Sequence, residues 1–301
     1  IIGNEADYFY TIEHFNFDWT PSDLSKGEYL DGFDDVRIET YENSFNTLQL
    51  YSNYKLSIPN RETRAIKKSG NYLLRIFNDD AEIVFSRKFM VLERVLSVEV
   101  EIKRSRIIKN IDQQQVVQFK INSPNLLLIN PKQNVKTLVL QNNNLKTAIT
   151  NLKPLYTIGS ELIYKYDQEA AFWGGNEFLF FDNKDLRSST KGVMYVELNE
   201  LYENFLFTNI DRSTRPYTYN PDINGSFQVR NLYASQNQNI EADYVLMHFN
   251  LQHYGSLGDK EIHIYGNFNN WTIDKTTYMR YNEKTDKKRK NVEGGKEIRR
   301  E

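Results

Sequence analysis

Tyr8-Phe9-Tyr10-Thr11-Ile12-Glu13-His14-Phe15 is followed by Asp18-Trp19-Thr20-Pro21-Ser22, then by Glu28-Tyr29-Leu30-Asp31-Gly32-Phe33 and Ser44-Phe45-Asn46-Thr47. Aromatic and β-branched residues interrupted at short intervals by Asp, Pro and Gly describe a strand, a structured loop and a further strand. No catalytic motif lies among them. Further along, period-two alternation continues. Val98, Val100 and Ile102 alternate with Glu99, Glu101 and Lys103, and Val117, Phe119 and Ile121 alternate with Gln118 and Lys120, as expected of strands with one buried and one wet face. Tyr72–Phe77 and Phe89–Leu92 are apolar on both faces and read as central strands. The turn signal Asn78-Asp79-Asp80 between them makes a hairpin that closes a first domain. One helical candidate of any length, Val196 to Phe205, has a spacing that fits neither period cleanly.

The fold class expected from these patterns is all-β. The chain has 301 residues, with 20 Tyr and 18 Phe, which suits sheets that bury one ring face and keep phenols near water. That length is too great for one small sandwich and points to two or three domains. A formal net charge of −2 supplies no field to attract nucleic acid or an anionic membrane. The absence of cysteine excludes disulfides, thiolate metal sites and cysteine nucleophiles. The longest purely aliphatic run, Leu126-Leu127-Leu128-Ile129, is far short of a membrane-spanning helix. The chain opens at Ile1 without the charged and apolar regions of a leader, so a leader has been removed or the sequence begins inside a longer protein.

Boundaries are expected near Glu93-Arg94, where the polar alternating pattern begins, and at the polar stretch Ser235 to Asn239. The expected modules are residues 1–94, 95–238 and 239–301, the last opening with Tyr244-Val245-Leu246-Met247-His248-Phe249. The Asn- and Gln-rich segments Gln113–Gln115 and Gln141–Asn144 read as solvated turns.

The opening stretch resembles the plug protein family of the bacterial type IX secretion system. The same resemblance continues in order through Ser69-Gly70-Asn71-Tyr72-Leu73-Leu74, Ala148–Leu155, Gly175-Asn176-Glu177-Phe178 with Phe181-Asp182, and Glu241-Ala242-Asp243-Tyr244. It implies consecutive antiparallel β-sandwich domains of immunoglobulin-like kind and a non-enzymatic component of the periplasm associated with the outer membrane. It further implies that the partner is the outer-membrane translocon barrel, whose periplasmic opening such a protein plugs. Phe15 stands where the family often has cysteine. After Tyr281-Asn282-Glu283 the family continues into strands, whereas this chain runs into Lys287-Lys288-Arg289-Lys290 and ends Ile298-Arg299-Arg300-Glu301. That tail has no strand pattern and reads as a solvated end, with a truncation or frame disruption leaving the last module incomplete and its edges open.

Four groups of residues are candidates for chemistry. Gly266-Asn267-Phe268-Asn269-Asn270-Trp271 resembles the hallmark of starch-binding and debranching-enzyme accessory modules; Trp271 could stack on a sugar, while the simpler reading has Phe268 and Trp271 pinning a turn to the core. His248, His253 and His263 could meet as metal ligands, but no carboxylate or cysteine spacing supports them. Asp31, Asp34 and Asp35 offer oxygen ligands without the length of a calcium loop. Asp182 and Asp185 could serve as acid and base, but sequence does not fix their separation. No nucleophile elbow or phosphate-binding glycine loop is present. We therefore expect no enzyme, no cofactor, no metal and no small-molecule substrate, with a weak glycan contact as the alternative. An outer-membrane barrel is disfavoured by the uneven strands and irregular polar loops.

Overall fold

The computed structural model describes residues 1–3, 5–174, 178–212, 215, 222–253, 256–282 and 287–294, the side chains of 282 and 287–294 excepted. The described residues are almost entirely β, with helices of four residues or fewer. They gather into two compact units: Asp7–Ile38 with Ser57–Gly175, and Ile1–Ala6 with Glu39–Leu56 and Asn176–Glu301. The chain thus passes from one unit to the other after residues 6, 38, 56 and 175.

In the first of these units, Phe9–Phe15 (β1) pairs antiparallel with Val36–Arg37 (β2) on one side and Gly70–Phe77 (β3) on the other, and β3 pairs with Ile83–Val91 (β4). Alternation along β1 sends Tyr10 and Ile12 inward, where they are 1% and 0% exposed, on the face that also buries Tyr72 of β3. The buried phenol of Tyr10 needs a partner and finds the Thr63 hydroxyl at 2.7 Å, with the Asn60 amide donating to it at 2.9 Å. Burial pushes the Tyr72 phenol up to about 12. Gly32 stands at φ 99°, and a Cβ there would run into the Glu62 carbonyl, so this turn requires glycine.

The expected hairpin is present, with β3 central as its sequence suggests. Its second arm is not central: β4 is an edge strand, and Met90 and Leu92 are exposed. An apolar run on both faces permits a neighbour on each side without supplying one.

A second sheet in this unit is built on Gln114–Asn122, flanked by Ser97–Arg104, Glu161–Tyr164 and Ala171–Trp173, with Tyr156–Ile158 beyond. In chain order these are β5 (97–104), β6 (114–122), β7 (156–158), β8 (161–164) and β9 (171–173). Phe119 lies opposite Tyr164 in register, and their rings stack at 4.3 Å. Together with Ile121, Leu152 and Leu162 they form a core covered by Val135, Val139 and Ile149 from the adjoining segment. The expectation for Val98, Val100 and Ile102 is met as to strand but not as to burial: they lie at the sheet edge and are 56%, 60% and 65% exposed. Pairing of the backbone with β6 makes the strand; nothing in that pairing covers its apolar face.

In the other unit, Val193–Leu198 (β10) and Tyr202–Leu206 (β11) form an antiparallel hairpin, followed by Asn209–Ile210 (β12). The stretch Val196 to Phe205 is therefore strand, turn and strand, not helix. Val245–Gln252 (β13) runs parallel to β11 and β12. The register places Tyr195, Phe205 and His248 side by side on one face, where the rings stack at 4.3 and 3.9 Å. The opposite face buries Val193, Leu206, Val245 and Met247.

The basic tail is a correction. Lys287–Gly294 (β15) is a strand lying between β13 and Arg280–Asn282 (β14), antiparallel to both. Its sequence carries no apolar stripe, but the backbone groups on that side of β13 require partners, and an extended basic segment supplies them as well as an apolar one. Residues Ile298–Glu301 lie outside the described residues.

What holds residues 39–56 in this unit is a set of bonds to residues 237–244. The Tyr51 hydroxyl donates to the Ala242 carbonyl at 2.7 Å, and its ring meets that of Tyr244 edge-on at 5.3 Å. The Asp243 carboxylate accepts from the Leu48 N–H at 2.8 Å and the Gln49 N–H at 3.4 Å, while the Phe45 N–H donates to the Ile240 carbonyl at 2.9 Å. Glu241 shapes the receiving loop by accepting from the N–H groups of Ser235, Gln236 and Asn237 at 2.7 to 2.8 Å. Those bonds, led by that from Ser235, hold its pKa at about 2.

Tyr51→Phe should lower stability by about 1 kcal/mol in chemical denaturation, since the buried carbonyl of Ala242 loses a bond. Glu241→Gln should also destabilise, with a specific pH signature. The folded-state pKa lies below the ordinary value near 4.5, so the stabilisation is complete above that value and is lost as pH falls toward 2. The difference in melting temperature between the two proteins should be full at neutral pH and close over that window.

Candidate docking surfaces and reactive groups

Each histidine proposed from sequence has its own partner. His248 Nε2 lies 2.7 Å from the Glu203 carboxylate, His253 Nδ1 lies 2.6 Å from Asp211, and His263 lies between Thr277 at 2.9 Å and Glu261 at 3.1 Å. They do not converge, and no cluster of metal-ligating side chains occurs among the described residues. A bond from the Asn199 amide, followed by that from His248, keeps Glu203 below the usual carboxylate range.

Two of the three acids around Gly32 are likewise engaged, while Asp35 is exposed and its N–H donates to the Tyr10 carbonyl at 2.7 Å. Asp34 is buried, accepts from the Ile12 N–H at 2.6 Å and pairs with Lys26 at 2.7 Å. Asp31 pairs with Arg64 at 2.7 Å. Asp34 thus ties β1 to the Lys26 turn and Asp31 ties residues 30–32 to residues 63–66, instead of both facing one centre.

Asp182 and Asp185 close local turns. Asp182 accepts from the Lys184 N–H and pairs with its ammonium, both at 3.0 Å, and Asp185 accepts from the Arg187 N–H at 3.0 Å and the Tyr233 hydroxyl at 3.2 Å. Burial is the largest influence on Asp182 and pushes its pKa up, but the bonds and charge of Lys184 outweigh it; Asp185 is lowered foremost by the Ser188 hydroxyl. Both therefore stay ionised at neutral pH, the reverse of what a glycosidic general acid requires.

The Gly266–Trp271 turn is built from inside. Asn269 is 9% exposed; its Oδ1 accepts from the Gly266 N–H at 3.1 Å and its amide donates to the carbonyls of Ile264 at 2.9 Å and Thr272 at 3.2 Å. Phe268 stacks toward Phe249, with ring centroids 6.3 Å apart, and Trp271 is half-buried. Asn269 is thus committed to backbone, a structural role within this motif.

What the described surface does offer is exposed apolar area on sheet edges and loops. Val98, Val100 and Ile102 line β5, Tyr156 and Ile158 lie on β7, and Leu127 is 84% exposed beside a 340 Å³ cleft formed with Leu126, Leu162, Thr157 and Ser160. These features suit contacts spread over a broad face, as in protein association, and do not enclose a substrate. Sequence patterning could not find them, because alternation reads the same whether the apolar side is covered or open.

Comparison with known proteins gives the family. Residues 1–93 match the family described as type 9 secretion system plug protein 1st domain. The fold closely matches the crystal structure of a hypothetical protein from Parabacteroides merdae ATCC 43184, with a TM-score of 0.90 and 31% identity over 97% of this chain and 74% of that chain.

The chain belongs to the type IX secretion plug family.

No curated protein matches its sequence. Plug-family membership ties the chain to type IX secretion and agrees with the all-β architecture. No helix among the described residues is long and apolar enough to cross a membrane. In this plug-family protein, Asn269→Ala should cost about 2 kcal/mol in a denaturation experiment, because it leaves buried backbone groups without partners; a surface sugar-binding asparagine would lose almost no stability.

Proposed function

We propose that this chain is a non-enzymatic plug that seats at the periplasmic opening of the type IX translocon barrel in the outer membrane and closes it while no cargo passes. The observation that carries this reading is the match of residues 1–93 to the plug family's first domain. The rest of the molecule is in keeping with it. The histidines considered as metal ligands and the aspartates considered as acid and base are engaged in separate structural contacts, and the exposed apolar residues lie on sheet edges and loops. A stopper of this kind works by shape and by many modest contacts, each weak enough to yield when cargo or another partner engages.

Periplasmic location at the outer membrane and association with the barrel belong to the same proposal. So does a modular boundary at residue 94, supported by a family domain ending at residue 93; the one expected at 238 gives way to a single sheet in which β11 and β13 pair across it. Deleting the protein from cells that keep the translocon should raise outer-membrane permeability to small dyes, and re-expression should restore the barrier. Unchanged dye entry in the deletion strain would refute the plug.

A further inference from the structure

Among the described residues, most sheet edges carry a device that discourages a further strand. β2 and β7 are two and three residues long, β10 contains a register shift between Val193 and Tyr195, and β4 has one at its start and presents Arg87 and Lys88. Short length, irregularity and cationic residues are the usual ways in which an edge is blunted. β5 is eight residues long and regular, and its cations, Lys103 and Arg104, stand together at its C-terminal end. It pairs with β6 continuously from Ser97 to Arg104 without a bulge, contains no proline, and has a neighbour on only one side. Its apolar side chains, Val98, Val100 and Ile102, continue the face that is buried in β6 at Phe119 and Ile121, yet they stand open to solvent.

We infer that the free edge of β5 pairs with β5 of a second copy of this chain, antiparallel about a twofold axis through Glu101. The choice of occupant follows from the residues. Neighbours directly opposite in an antiparallel pair share a face, so a slip of one residue would set charged side chains against the apolar row. Of the registers that keep the faces matched, the one centred on Val100 sets Glu99 opposite Glu101 twice. The one centred on Ile102 shortens the overlap to residues 100–104. Centring on Glu101 uses residues 98–104, sets Val100 against Ile102 twice and Glu99 against Lys103 twice, and lays the aliphatic stem of Arg104 beside Val98 at either end. The single like-charge meeting, Glu101 with its counterpart, is softened because each Glu101 already pairs with Lys103 of its own strand at 3.0 Å. Self-pairing joins two five-stranded sheets into one and sets the open apolar row of each beside that of the other. It rests on the edge geometry and not on the plug reading.

The chain's lack of cysteine makes the register directly testable. Opposed positions in such a pair have Cβ atoms about 4.5–5.5 Å apart, close enough for a disulfide after a small adjustment. Under mild oxidation of the whole chain, Glu101→Cys should form a covalent dimer. Glu99→Cys and Lys103→Cys should each form no covalent dimer alone and cross-link when mixed, and Ser86→Cys on β4 should not cross-link. By sedimentation, the unmodified protein should pass from monomer to dimer as its concentration is raised from about 1 to about 200 μM. Val100→Lys, which changes an already exposed side chain, should stay monomeric with an unchanged melting temperature. A chain that is monomeric throughout that range and uncross-linked at Glu101→Cys would overturn the inference. So would cross-linking of Glu101→Cys in envelope extracts to a different protein in place of a second copy, which would make the edge a site for a foreign strand.

Discussion

The carboxylate of Asp243 and the hydroxyl of Tyr51 join two parts of the chain that stand almost two hundred residues apart, and the second compact unit depends on that junction. Residues 39–56 carry a short ribbon, Tyr41–Asn43 paired with Ser52–Tyr54, which is too small to stand alone. Its Tyr51 is 1% exposed only because Ala242 and Tyr244 receive it. The N-terminus is seated in turn on the ribbon, with the Ser52 N–H donating to the Ile1 carbonyl at 2.9 Å. Glu241 holds the receiving loop by accepting three successive backbone N–H groups, so a single acidic side chain organises the surface on which the earlier segment rests. Because the chain crosses between units at residues 6, 38, 56 and 175, the two share covalent connections that independent beads on a string would lack.

Much of this architecture is legible in the sequence, and the parts that are not have a common cause. The strands at Phe9–Phe15 and Gly70–Phe77 follow from their aromatic and β-branched runs, and the turn at Asn78-Asp79-Asp80 from its composition. The blocks Ser44-Phe45-Asn46-Thr47 and Glu241-Ala242-Asp243-Tyr244 stand out as family features, but only the structure brings them together. A side chain's identity gives its appetite for a partner and not the partner's position. The same limit explains Val98, Val100 and Ile102, whose alternation specifies a strand and a face but not a cover for that face. It explains Lys287–Gly294 as well, a strand recruited by the unmet backbone groups of its neighbour in spite of a composition that suggests solvent.

The candidate reactive residues show the converse. Histidines 248, 253 and 263 lie within a short span of sequence, yet alternation and chain direction send each to a different carboxylate or hydroxyl. The aspartates at 31, 34, 182 and 185 are held by cations or by backbone N–H groups of their own turns. Asp182 and Asp185, held below the usual carboxylate range, stay charged and contribute to local order. The plug proposed above would draw on that local order, since its role is to occupy space.

Affinity isolation of the tagged, full chain from native envelopes under gentle extraction tests that role most directly. The account predicts that the type IX translocon barrel is recovered with it in near-stoichiometric amount, and equally when Trp271 is replaced by alanine. Recovery of the chain free of any export barrel, with the barrel intact in the same extract, would contradict it.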